Sequence, residues 1–134
     1  MAKNSVYIVV PGRFPGMNEF ITANRAGHGK CNLGNRMKQR DQDRIIRYLP
    51  EIKITQPVKI EYTYYELNRR RDLDNIAGYY HKIFQDSLVR AGILQGDGWD
   101  YITGYSDAFA VDKNNPRIEI WLHLQPAKGK KSKK

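Results

Sequence analysis

Between Val58 and Leu67 the chain alternates Val, Ile, Tyr, Tyr with Lys, Glu, Thr, Tyr, the period of two that a strand with one buried face requires. Past the arginine-rich stretch that follows, the period changes. From Asn75 to Ala91, the residues Ile76, Tyr79 or Tyr80, Ile83, Leu88 and Ala91 recur near helical spacing, and Gly92 stands where a glycine closes a helix C-terminus. Asp74 occupies the position expected of that helix's N-cap. A strand passing almost directly into a long amphipathic helix commits the chain to a sheet with helices laid on it.

The flanking segments extend this plan. Ser5 to Val10 is β-branched and aromatic and is cut off by Pro-Gly pairs at 11–12 and 15–16, so it reads as a short buried strand. Residues 17–33 carry scattered Gly, Asn and Lys with little periodicity; a turn of helix is expected around Asn18 to Asn24. Arg36 to Leu49 is helical in pattern, with Met37, Ile45, Ile46 and Leu49 apolar among many charges, and Pro50 ends it. After a glycine-rich turn at 96–98, Tyr101 to Val111 and Arg117 to Leu124 read as strands, joined by the turn-forming Asp112 to Pro116 and able to pair as a hairpin. The expected fold is a single α+β domain over residues 1–126, a mixed or antiparallel sheet with helices packed on it.

At 134 residues the chain has the size of one ordinary domain. Nine tyrosines, two tryptophans and 40% hydrophobic residues supply a core that a disordered chain lacks. The net charge of +9 creates a field that attracts polyanions, nucleic acid above all. Five lysines, from Lys128 to Lys134, hold much of it, which leaves +4 for residues 1–127. Residues 127–134 are expected to be a disordered basic tail, serving either solubility or nonspecific phosphate affinity. Cys31 is the only cysteine, so an intrachain disulfide and a cysteine-rich zinc site are excluded. No apolar run approaches membrane-spanning length, and the short stretch Val6 to Val10 lacks the form of a signal peptide, so the expected location is the cytoplasm.

The chemistry concentrates in Arg69-Arg70-Arg71-Asp72-Leu73-Asp74-Asn75, where three cations abut two carboxylates separated by one residue. In extended chain Asp72 and Asp74 share a face, and two carboxylates held together repel unless a cation neutralises them. Mg²⁺ prefers oxygen ligands and binds through a few carboxylates plus substrate phosphate, so it suits such a pair. A second account is purely structural: Asp74 caps the helix and Asp72 pairs with the arginines. Asp97, between Gly96 and Gly98, is either a third acid or an ordinary turn residue. To join the others it must travel back along a helix roughly 25 Å long.

Taken together these pieces resemble the RusA family of Holliday junction resolvases. The resemblance lies in Arg70-Arg71-Asp72-Leu73-Asp74-Asn75, then Lys82-Ile83-Phe84-Gln85-Asp86-Ser87-Leu88, Ala91-Gly92-Ile93, and Asp97 ahead of Tyr101-Ile102. It covers residues 69 to about 102, with looser similarity in the opening strand, the Pro-rich loop and Asn18. The chain departs from the family pattern in two places. Gly78 stands where the family commonly has its helical lysine, one turn after the Asp-Asn pair, and Gly96 replaces the first acid of a frequent double Asp. The resemblance implies a RusA-like fold of phage or prophage type, and catalytic, metal-binding roles for Asp72, Asp74 and Asp97, with Asp100 in reserve. It further implies Lys82 as the essential lysine, Mg²⁺ (or Mn²⁺) as cofactor, and a homodimer nicking both strands of a four-way junction.

Arg69, Arg70, Arg71, Asn75 and the basic helix would then position the DNA backbone. Asp86, one turn beyond Lys82, is placed to orient it through an i, i+4 pair. His81 is read as packing or surface, and Trp99 as core, with base stacking or a dimer contact as its other uses. Two rival functions keep the same residues: a noncatalytic DNA-binding protein, and a metal-dependent nuclease acting on unbranched nucleic acid.

Overall fold

The computed structural model describes residues 4–26 and 32–126, and in it the alternating segment is the strand β2, Val58–Glu66, whose odd and even residues divide cleanly between a buried and a wetter face. Three further strands and three helices complete the fold. In chain order they are β1 (Ser5–Pro11), α1 (Met17–Ala26), α2 (Leu33–Ile46), β2, α3 (Leu73–Arg90), β3 (Ile102–Val111) and β4 (Arg117–Leu124). This is a small α+β domain with one mixed four-stranded sheet. The expected tail, 127–134, and Cys31 lie outside the described residues.

The strand order is β1-β4-β2-β3, with β4 antiparallel to both neighbours and β3 parallel to β2. The hairpin expected of the last two strands therefore does not form. Its reason is apolar burial: on the helix-covered face β4 brings Ile118, Ile120 and Leu122, at most 5% exposed, whereas β3 sets Tyr105, Asp107 and Phe109 beside Ile60, Tyr62 and Tyr64, a face interrupted by a charge, and none of its residues is buried. Placing β4 inside the sheet removes far more apolar surface from water than placing β3 there. The connection 112–116 accordingly passes over the end of β2, where the Asp112 N–H donates to the Glu66 carbonyl at 2.8 Å.

Register aligns Ile8, Ile120 and Tyr62 in one row and Val10, Ile118 and Tyr64 in the next, all on the face beneath the helices. Among the described residues no helix covers the opposite face, which carries Tyr7 and Trp121 at 46% and 38% exposure. On the covered side Tyr62, Tyr64, Tyr80 and Phe84 meet edge to face or stacked, so aromatic packing dominates the core. The phenols of Tyr62 and Tyr64 are pushed up by burial.

Helix boundaries differ from expectation by a few residues, for local reasons. Asn32 starts α2 by accepting the Asn35 N–H on its side chain at 3.0 Å, and the helix ends at Ile46 in a tighter turn that reaches Leu49. The α3 N-cap is Asp72, with Asp74 inside the first turn, and neither side chain caps a backbone N–H. At the other end Gly92, with φ +78°, permits the Ile93 and Gly92 N–H groups to reach the Leu88 and Val89 carbonyls, the six-to-one and five-to-two pair that closes a helix on a left-handed residue. Among the described residues no helix is long and apolar enough to cross a membrane.

Candidate functional site

The C-terminal end of β2 and the N-terminal end of α3 form a corner, the position at which parallel crossover units commonly bind ligands. Its scaffold is a buried carboxylate that sequence reasoning passed over. Glu66, 6% exposed, accepts two hydrogen bonds from Arg71 (3.0 and 3.1 Å) and two from Arg13 (3.1 and 3.2 Å). Arg71 also donates to the Phe14 carbonyl at 2.9 Å, which ties the loop after β1 to the corner. The only available signal was the odd placement of a glutamate on the apolar phase of β2.

Two of the four residues expected to touch DNA are thus occupied within the protein. Arg71 belongs to Glu66, and Asn75 accepts the Asn18 N–H at 2.7 Å on its side-chain oxygen while packing against Gly16. Both are correctors of local shape: a charge buried beside Glu66 and an amide that fixes the start of α1 have little left to offer a phosphate. Arg69 and Arg70 are exposed, and among the described residues their side chains have no partner.

Asp72 and Asp74 are exposed at the same corner, and among the described residues neither makes a side-chain hydrogen bond or an ion pair. This removes the structural account of the pair, since Asp74 does not cap and Asp72 does not hold an arginine. Both carboxylates stand beside the unsatisfied N–H groups of a helix start, where negative charge is favoured.

Asp97 is elsewhere. It lies beside Asp86, near the far end of α3, close enough for the two carboxyls to share a hydrogen bond. Asp86 follows Asp74 by twelve residues, about 18 Å of helix. One protomer therefore does not bring Asp97 to Asp72 and Asp74, and among the described residues no three His, Cys, Asp or Glu side chains gather as a metal-holding group. The three carboxylates do not fit one ion within a single chain. Asp100 sits on the same distant turn as Asp97 and does not replace it.

Lys82 is exposed and keeps company with the distant pair. Burial lifts the Asp86 carboxyl above the usual range, the charge of Asp97 lifts it further, and Lys38 and Lys82 oppose this. Asp86 bonds Gln42 at 3.5 Å, and no ion pair with Lys82 forms within 4 Å, so the expected i, i+4 pair is replaced by contact across to α2. A cleft of about 710 Å³ runs between α2 and α3 here, with Arg36, Lys38 and Arg90 on its walls and Asp86 and Asp97 at one side.

Neither a family model nor a curated protein sequence matches this chain.

Of the other residues singled out, His81 is partly buried against Tyr62 and Tyr105, its Nε2 2.8 Å from Asp107, in keeping with a packing role. Trp99 is not in the core at all: it is 92% exposed. On α2, Arg40 bonds Asp41, and Arg44 donates to the Pro11 and Arg13 carbonyls while lying 3.8 Å over the Phe14 ring, so the basic face of that helix is partly spent internally. Gly78 faces Met17 of α1, where an added Cβ would stand 3.2 Å from the methionine Cε.

Proposed function

We propose that this protein is a nuclease directed at branched DNA, a resolvase of the RusA type working as a homodimer in the cytoplasm. The observation that carries the reading is the state of Asp72 and Asp74: exposed, adjacent, and unpaired among the described residues although three arginines precede them. Carboxylates left free beside arginines are available to a ligand, and a cation bound between like charges would neutralise them. Mg²⁺ or Mn²⁺ answers that demand with oxygen-only ligation, and when bound it supplies charge for phosphodiester hydrolysis. A single protomer offers it two of the three expected ligands.

Other features support a polyanionic substrate. Arg69 and Arg70 point no charge into the protein, the chain is strongly basic, and Arg36 and Lys38 line a cleft leading along α3. Their contribution to binding is independent of base sequence and is weakened by salt. The resemblance carried by residues 69–102 adds the substrate class, a four-way junction.

The test uses purified full-length protein with labelled four-way junction, linear duplex and single strand, in Mg²⁺ or chelator. Paired nicks confined to the junction are expected in Mg²⁺. The substitution Asp74→Asn keeps junction binding and abolishes cutting. Salt-sensitive binding without cleavage would instead select a noncatalytic DNA-binding protein, and equal cutting of all three DNAs a nuclease for unbranched substrates.

A further inference from the structure

We propose that the turn at 98–101 and the start of β3 form a slot for one unstacked nucleobase, with Trp99 and Tyr105 as its aromatic walls and guanine as the base it fits best. This rests on the nucleic-acid substrate proposed above and can be measured without any cleavage.

The first observation is the indole itself. Trp99 is 92% exposed, more than any other large apolar side chain among the described residues, yet the turn that carries it is tightly made. The Tyr101 and Ile102 N–H groups both donate to the Gly98 carbonyl at 3.0 Å, and Gly96 lies so close to the Tyr101 ring that an added Cβ would stand 2.8 Å from it. A broad ring held in water by an ordered backbone offers contact area at little entropic cost to whatever it meets.

The second observation is the recess beside it. Trp99 and Tyr105 line one hollow of about 600 Å³. Tyr105 is 56% exposed, but its ring is braced by His81, with centroids 4.4 Å apart, and His81 is held in turn by Asp107 at 2.8 Å. Two aromatic walls suit a flat ligand with a π-face, which every base has. Gln85, Thr103, Asp97 and Asp100 complete the lining. Thr103 has given its proton to the Val58 carbonyl, and the Gln85 amide nitrogen is turned onto the Tyr62 hydroxyl. Acceptors therefore dominate what is left, with the exposed Asp100 carboxylate among the strongest. Guanine is the base whose pairing edge presents two adjacent donors, N1–H and the 2-amino group, to a carboxylate. This polar lining also disfavours a second copy of the chain as the occupant, since the centre of such a contact is depleted of charge.

The third observation is the neighbouring cleft. Asp97 borders both this recess and the cleft between α2 and α3, whose walls carry Arg36 and Lys38. A cationic groove for the backbone opening onto aromatic rings for the bases is the combination that single-strand binding sites use. A base must leave its duplex to reach the rings, which costs least where pairing is already interrupted, as at a branch point.

The test is made in chelator, where metal-dependent cutting is silent. In a Trp121→Phe background Trp99 is the only tryptophan, and its emission should be quenched by a short thymidine strand carrying one central deoxyguanosine. Trp99→Ala, a change at a side chain that lies in solvent, should weaken binding of that strand at least about fivefold in anisotropy, as should Tyr105→Ala, while Trp99→Phe keeps most of it. Deoxyinosine, which lacks the 2-amino group, should bind at least about threefold more weakly than deoxyguanosine in wild type, and equally in Asp100→Asn. Absence of quenching, or unchanged binding in Trp99→Ala, overturns the slot. Equal affinity for the two strands in wild type overturns guanine as its occupant. A Trp99→Ala protein that sediments at lower mass than wild type overturns the slot in favour of a contact between copies. Quenching by a protein that never cuts a junction in Mg²⁺ retires the nuclease and leaves the slot, and cutting without quenching does the reverse.

Discussion

The two ends of α3 hold a pair of aspartates each, in opposite electrostatic settings. Asp72 and Asp74 stand in solvent at the helix start, where unsatisfied N–H groups favour anions, and their neighbours Glu66, Arg13 and Arg71 form a closed network that asks nothing of them. Asp86, partly buried, and Asp97, exposed, lie against one another toward the helix end, and Asp86 is held above the ordinary carboxyl range by burial and by its neighbour. The first pair is free for a ligand, whereas the second is a local cost carried by the fold. A count of acids along the chain does not separate these cases; their surroundings do.

The largest expected effect falls on the first end. Glu66→Ala leaves Arg13 and Arg71 facing each other without their shared partner and should cost about 3–5 kcal/mol in urea unfolding, the usual result of stripping one member from a buried ionic group. A loss under 1 kcal/mol would mean that the corner is not organised by Glu66. At the second end, Gly92→Ala forces a β-carbon into a positive-φ residue and should cost about 1–2 kcal/mol by the same measurement.

Asn75→Ala removes the acceptor for the Asn18 N–H and should cost about 1 kcal/mol, with faster amide exchange confined to the start of α1. The smallest effect carries the opposite sign. Because the folded pKa of Asp86 lies above its unfolded value, the folded state holds the extra proton between the two, and stability falls as pH rises through that window. Asp86→Asn should therefore raise Tm at pH 7 and lose this advantage below the unfolded carboxyl range. A lowered Tm at pH 7 would show the Gln42 contact to outweigh the repulsion from Asp97.

How far the sequence reached depended on the range of the forces involved. The period of β2, the helical stripe of α3 and the Gly92 cap are local, and each element formed nearly where its residues placed it. Strand order was not local. β4 displaces β3 from the interior because three large aliphatics outweigh a β3 face that carries Asp107 between Tyr105 and Phe109, a competition between segments that no single window displays. The same holds at the corner, where Arg71 looked like one of three equivalent arginines until Glu66 and the Phe14 carbonyl claimed it. Asp97 was misplaced for a related reason: its turn closes on the end of α3 that precedes it, and the chain then enters β3 without returning to the helix start.

Arg13 and Glu66 are 53 residues apart in the chain. Closing so long a loop is entropically slow, so the corner cannot be rigid early in folding. The strand, turn and helix that carry Asp72 and Asp74 can assemble among themselves while the guanidinium that braces them is still attached to a distant, undocked segment. The shape of this corner is consequently a late property of the folding molecule, and an early one to be surrendered when the amino-terminal strand works loose.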